Sequence, residues 1–340
     1  MPKRALSFLT AVLALSAAAM VHAAENGEAW TPTATALRAD AAGIALPQTV
    51  AGLSLSKSGE VSNGGKGIDN YAQYLSDDGA IQATLYVYMP SYADASLAAY
   101  MTDKAIMDRF GAKTRRTAYA SIAAAGHANG AIRAVYDDAA DGALTTAAAF
   151  VHAGRWLVKL RITGPSERRK EILAGLDGMV NGLQFDDASA IQSTTPAKFA
   201  ACPAGDREDA RITGPSAAAP VASAMPREGS ATLCIRDQVR TAEGSYDMLQ
   251  QAGVKGGAII VPVDDAGTVL AFDPARNGQG YQLSIHSVGQ TDLYGVYDKI
   301  PSPRQIAQIL DGKDPQTAQA GTVAAFAANG EVTLRSATSR

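Results

Sequence analysis

Residues 155–163 read Arg-Trp-Leu-Val-Lys-Leu-Arg-Ile-Thr, and no other stretch restricts the fold as strongly. Trp156, Val158, Leu160 and Ile162 fall on one side of an extended chain, and Arg155, Leu157, Lys159 and Arg161 on the other. That period of two predicts a half-buried strand, because a helix would scatter the same side chains around its axis. Ile81 to Tyr88 repeats the pattern: Ile81, Ala83, Leu85 and Val87 alternate with Gln82, Thr84, Tyr86 and Tyr88. Further strands are expected at Tyr71–Leu75, near 131–136 and at 144–151. They are punctuated by Asn63-Gly64-Gly65, by Asp137 to Gly142 and by Ala153-Gly154. Connections this short make neighbouring strands antiparallel.

Two segments carry helical spacing instead. Leu97, Tyr100, Met101, Ala105, Met107 and Phe110 recur at intervals of three and four, with Gly111 as the stop signal. After Gly164-Pro165, the residues Ile172, Leu173, Leu176, Met179, Val180 and Leu183 form an apolar stripe. Pro165 suits the first helical position. The expectation for residues 47–185 is therefore an α+β domain, an antiparallel sheet packed by helices. Its element order, with the Trp156–Thr163 strand running through Gly164-Pro165 into a helix, resembles the PsbP-like fold. That resemblance implies a fold, and a class made up mostly of non-enzymatic accessory or binding proteins.

Beyond this domain, residues 186–230 are rich in Ala, Pro, Ser and Thr and read as a linker. The hexapeptide Arg-Ile-Thr-Gly-Pro-Ser occurs at 161–166 and again at 211–216 with unrelated flanks, a reused turn and not a repeat. Residues 231–340 read as a second, smaller α+β domain. The expected elements are a helix at Tyr246–Ala252, strands at 257–263, 268–272, 281–287 and 293–298, a short helix after Ser302-Pro303 and a hairpin at Asn329-Gly330.

The compartment is read from the N-terminus. Lys3 and Arg4 precede an apolar run from Ala5 to Met20, and Val21-His22-Ala23 has the small-residue cleavage pattern. Residues 1–23 are thus expected to be a signal peptide, with Ala24 as the mature N-terminus and 24–46 as a loose lead-in. The run is short for a membrane span, and no later one approaches that length. The mature chain is then periplasmic or secreted. There, Cys202 and Cys234 are expected to form a disulfide; the rival reading is a reactive thiol or a metal pair. The whole chain carries a formal net charge of −3, and losing Lys3 and Arg4 makes it more acidic still, which argues against nucleic acid as a partner.

Chemistry leaves few traces. His127, His152 and His286 share no metal-ligand spacing and read as solvent-facing. Gly-x-Ser-x-Gly and glycine-rich phosphate loops are absent. Ser54-x-x-Lys57 lies among glycines and not at a helix start. The pairs Asp77-Asp78, Asp137-Asp138, Asp186-Asp187 and Asp264-Asp265 read as turns. Asp137 to Gly142 begins like a calcium loop, but Ala139 and Ala148 stand where ligands belong. Neither cofactor nor metal is expected.

One feature rises above this background. Arg155, Lys159, Arg161, Arg168, Arg169 and Lys170 concentrate positive charge in an acidic protein. Lys159 and Arg161 share a strand face, to which Tyr86 and Tyr88 would add rings if the two strands are neighbours. The expectation is an exported, non-catalytic binding or accessory protein whose basic sheet face (Tyr86, Tyr88, Lys159, Arg161) takes an anionic small molecule or a protein's acidic group. The alternative is an exported hydrolase with a dispersed active site.

Overall fold

The computed structural model describes residues 29–62, 67–203, 208–214, 227–229, 232–275, 279–317 and 320–336. The expected signal peptide and the Asn63-Gly64-Gly65 turn lie outside them. The described chain is β-rich: 51% strand against 18% helix, in antiparallel and mixed sheets. This corrects the α+β reading of both domains and departs from PsbP-like packing. Three of the expected helices fall in nearly the right places and the one at 246–252 does not, while many strands around them leave no sequence pattern.

The N-terminal module opens with β1 (Trp30–Pro32), β2 (Ala36–Ala39) and β3 (Ile44–Pro47). Residues 30–47 are thus not the loose lead-in expected for 24–46: they form a small sheet in which Leu37, Ile44 and Leu46 enter the main core. There follow β4 (Thr49–Val50), β5 (Leu53–Glu60), β6 (Asp69–Ser76), β7 (Gln82–Tyr88) and β8 (Tyr92–Ala93). Next come helix α1 (Ala95–Phe110) and strands β9 (Arg115–Ala124), β10 (His127–Ala139), β11 (Leu144–Ala153) and β12 (Trp156–Pro165). Helix α2 (Arg169–Gly182) and β13 (Gln184–Phe185) close the module, β13 returning to pair with β3. The main sheet is antiparallel in the order β4-β5-β6-β7-β12-β11-β10-β9.

Its two faces are covered differently. The side carrying Val158, Leu160 and Ile162 packs against Ile172, Leu176 and Val180 of α2. Gly175 makes that approach possible, since a Cβ there would fall 2.8 Å from Ile162 Cδ1. Pro165 ends β12, and a 3-10 turn at Ser166–Arg168 intervenes before α2, so proline is not at the helix's first position. On the other side lies α1. It is capped by Asp94, whose carboxylate accepts from the backbone N–H of Ser96 (2.8 Å) and Leu97 (3.0 Å).

The C-terminal module forms one extended sheet. Its strands are β14 (Ala200–Ala201), β15 (Ile212–Gly214), β17 (Leu233–Arg240), β18 (Ser245–Gln251), β19 (Ile259–Pro262), β20 (Val269–Pro274), β21 (Tyr281–Ser287) and β22 (Gln290–Tyr297). Helix α3 (Pro303–Leu310) and strands β23 (Thr322–Phe326) and β24 (Val332–Ser336) complete it; β16 (Arg227–Glu228) pairs instead with β8. Ser302 and Gln305 form a capping box at the start of α3. Residues 246–252, read as a helix, belong to β18. Met248 packs into the module's own core and Leu249 against α1, so both faces of the strand are buried. A strand buried on both sides loses its alternation and cannot be told from a helix by period.

Helix α1 is the hinge of the architecture. Ala95, Ala98 and Ala99 pack on Ile132, Ala148 and Phe150 of the first sheet, while Leu97 meets Leu249, Ile260 and Val269 of the second. Leu293, Ala324 and Phe326 of the second module join Ile68 and Met89 in the main core. Backbone bonds from Gly289 N–H to Met89 C=O and from Ser91 N–H to Ser287 C=O, both 2.9 Å, fasten the seam.

Candidate functional site

The α1-side face of the first sheet can be built row by row from the strand register. One row runs Gly59, Tyr71, Tyr86, Lys159 and Phe150 across β5, β6, β7, β12 and β11. The next runs Lys57, Gln73, Thr84, Arg161 and Ala148. The register thus sets Tyr86 opposite Lys159 and Tyr88 opposite Leu157, on one face with Arg161. Covered and open parts of that face then diverge.

Lys159 is not a solvent-facing cation. It is 7% exposed, and its Nζ donates to Asp265 Oδ2 at 2.5 Å. Asp265 comes from the β19–β20 turn, where Asp264 Oδ1 accepts from the N–H groups of Ala266 and Thr268. Burial pushes the Lys159 ammonium down, against the pull of Asp265. Burial would raise the Asp265 carboxyl, but the Lys159 charge and hydrogen bond hold it below its ordinary value. Lys159 Nζ also lies 5.6 Å from the Tyr86 ring centre. Tyr88 is buried beside this pair; burial first, then Asp265 and Asp264, raise its hydroxyl. Lys159 and Tyr88 therefore belong to the packing between modules, which corrects the solvent-open role expected of them.

Arg161 stands one row further out and is only half-buried. Its guanidinium carbon lies 5.8 Å from the Phe110 ring, and that of Arg109 lies 5.6 Å from the same ring. Among the described residues no carboxylate lies within ion-pair distance of Arg161. Burial, then the Arg109 charge, work against its protonated form. Tyr86, Tyr71, Gln73 and Thr84 beside it are likewise half-buried, and Lys57 is exposed. The opposite face of these strands is core, with Ala72, Tyr74, Ala83 and Leu85 almost wholly buried.

The rest of the basic run is dispersed. Arg168 pairs with Asp78 and Glu171 at 2.6 Å each, and Arg169 with Asp137 at 2.9 Å. Asp78 is also the turn acceptor for Ser76 and Ala80, and Asp186 pairs with Arg38. Asp138, Ala140 and Asp141 have positive φ in a tight turn, where the calcium-like spacing falls. Ser54 and Lys57 lie on β5 with a register shift between Leu55 and Lys57, not at a helix start. Among the described residues no group of three or more His, Cys, Asp or Glu could hold a metal.

His152 and His286 are 4% and 0% exposed, so neither faces solvent as expected. The imidazole of His286 lies 3.1 Å from Ser91 Oγ and 3.2 Å from Thr291 Oγ1 at Nδ1, and 3.0 Å from Ser284 Oγ at Nε2. Ser91 Oγ–H donates to the Gln290 carbonyl at 2.8 Å. The ring ties the modules together within the core, fully buried and with hydroxyls at both nitrogens. Near it, Tyr92, Asp94, Leu97, Met101, Asp264 and Gly267 line a crevice of about 10 Å³, room for about one water. Burial raises the Asp94 carboxyl to about 6, opposed by its two backbone donors.

Cys202 and Cys234 form the expected disulfide, with Cα atoms 5.1 Å apart, beside the parallel pairing of β14 with β17. From sequence, Tyr71 and Arg109 carry no functional reading, Lys57 enters only through the Ser54-x-x-Lys57 spacing, and Asp265 only as part of a turn. The alternation of Tyr71, Gln73 and Leu75 was a legible signal for one of them; the position of Asp265 had none. A scan against protein-family models gives no match, and neither does a search of the curated proteins.

Proposed function

We propose that the mature protein is an exported, non-catalytic binding or accessory module that presents the outer part of the basic sheet face to an anionic group. The observation that carries this reading is Arg161, a half-buried guanidinium near Arg109 and Lys159 that feels the Asp265 charge but has no carboxylate within ion-pair distance among the described residues. Its neighbour in the adjacent row shows the chemistry such a position accepts, since Lys159 binds the chain's own Asp265. The surroundings fit docking better than turnover: the face is half-buried and carries phenol, amide, hydroxyl and cationic groups, whereas reaction centres are usually enclosed. The disulfide supports an oxidising compartment, and no helix among the described residues is long and apolar enough to cross a membrane.

Dextran sulfate is a suitable probe. Wild-type protein should bind it with an affinity that falls as salt rises, since exposed charge contacts are screened over about 8 Å at physiological ionic strength. Combining Arg161→Gln with Lys57→Gln should weaken binding at least tenfold without changing the melting temperature. Equal binding by the double variant would overturn the reading.

A further inference from the structure

We propose that the partner on this face is an anionic polysaccharide, stacked on Tyr71; this deepens, and rests on, the anion-binding reading above. The first observation is the posture of Tyr71. A Cβ built on Gly59 would lie 2.9 Å from both Cε1 and Oη of the Tyr71 ring. The ring therefore reaches over Gly59, the one residue in its row whose missing side chain makes room. Tyr71 is only half-buried there, and an aromatic ring face suits the C–H patch of a sugar ring, which is apolar although the rim of the sugar is not.

The second observation is what surrounds the ring. Tyr86 is its direct cross-strand partner, extending the aromatic row, and Lys57, Gln73, Thr84 and Arg161 make the parallel row. Amide and hydroxyl groups match the hydroxyl rim of a saccharide. The ammonium and guanidinium at the row's ends match a carboxylate or sulfate substituent, the guanidinium with two parallel donors. No carboxylate occurs in either row, and the two rows lie roughly 7 Å apart, two residues along each strand. The row from β5 to β12 spans roughly 15 Å, at about 4.8 Å per strand step. That is a track for an extended chain and not a pocket for a single small molecule. A protein partner would call for an apolar centre, and the centre here is Gln73, Thr84 and two tyrosines.

The test uses the mature protein with alginate as the anionic glycan, dextran as the neutral one and dextran sulfate as a polyanion without carboxylates. Alginate should bind and dextran should not. Tyr71→Ala should weaken alginate binding at least tenfold at unchanged melting temperature, Tyr71→Phe should retain it, and Lys255→Gln, at an exposed position of the second module outside both rows, should leave it unchanged. Gly59→Val should mimic Tyr71→Ala by lifting the ring. Alginate binding that survives Tyr71→Ala would mean charge attraction alone and overturn the proposal, as would equal binding of dextran or no binding of alginate. Arg161-dependent binding of dextran sulfate without binding of alginate would defeat this proposal while sparing the anion-binding reading. Binding of neither would defeat both.

Discussion

Lys159 sits at a position where the sequence offers a surface cation and the fold demands a buried one. Its stability rests on Asp265, and removing one partner of a buried pair typically costs about 3–5 kcal/mol, because the other is left charged and unpaired. Lys159→Ala should lower unfolding stability by that order in denaturant titration, whereas Lys159→Met combined with Asp265→Leu should recover most of the loss. A surface lysine would give near-zero change for both. Asp94 offers the opposite case. Its pKa is raised to about 6 by burial, above an unfolded value of about 3.9, so the native state holds the proton more tightly. Stability should therefore fall as pH rises from about 4 to 6. Asp94→Asn keeps the cap without the charge, and should raise stability at pH 7 by roughly 1–3 kcal/mol while flattening that pH dependence. An unchanged pH profile of unfolding would show that Asp94 does not titrate as its burial demands.

Among the elements, α2 and β18 show how packing overrides local pattern. The stripe of α2 was legible because one face alone is buried; its close seat on the sheet depends on Gly175, beneath which Ile162 leaves no space for a side chain. Gly175→Val should destabilise by roughly 1–3 kcal/mol through overpacking, measurable as a shift in the denaturation midpoint. In β18, by contrast, Met248 and Leu249 point to opposite cores, so period carries no information there. The alternating strands β7 and β12 were read correctly because one of their faces meets α2 and the other is mixed.

For the molecule as a whole, the modules are held by a shared apolar core and by buried ionic contacts beside α1, while the Cys202–Cys234 disulfide closes a loop within the second module. Lys104 pairs with Asp247 at 2.7 Å, and Lys159 with Asp265, each joining the first module to the second. Burial works to raise both carboxyls, and the lysines more than offset it, leaving both below their ordinary values. Their contribution is present above the unfolded pKa of about 3.9 and is lost as pH falls through the depressed native values. Acid unfolding below about pH 4 should accordingly begin at the seam, with hydrogen exchange at α1 and β18 rising before that at β11. Replacing both Cys202 and Cys234 by Ala should lower stability by roughly 3–4 kcal/mol, the chain-entropy expectation for a closed loop of this size. A loss much smaller than this would mean the surrounding pairing of β14 with β17 already restricts the loop.

Sequence alone determined what depends on neighbours a few residues away. Period-two alternation placed β7 and β12, the stop at Gly111 and the Ser302 cap bounded helices, and two cysteines admitted only one intramolecular disulfide. It also put Tyr86 with Tyr88, and Lys159 with Arg161, on one side of their respective strands, because alternation sorts side chains into two sides whatever covers them; the pairing of β7 with β12 brought the four together. Which side meets solvent was decided by segments far along the chain. Asp265, more than a hundred residues from Lys159, buries that lysine; α1 and the second sheet enclose Tyr88 and His286; and Gly59 on β5 makes room for the Tyr71 ring. Burial is a property of the assembled surface, and no local pattern contains it.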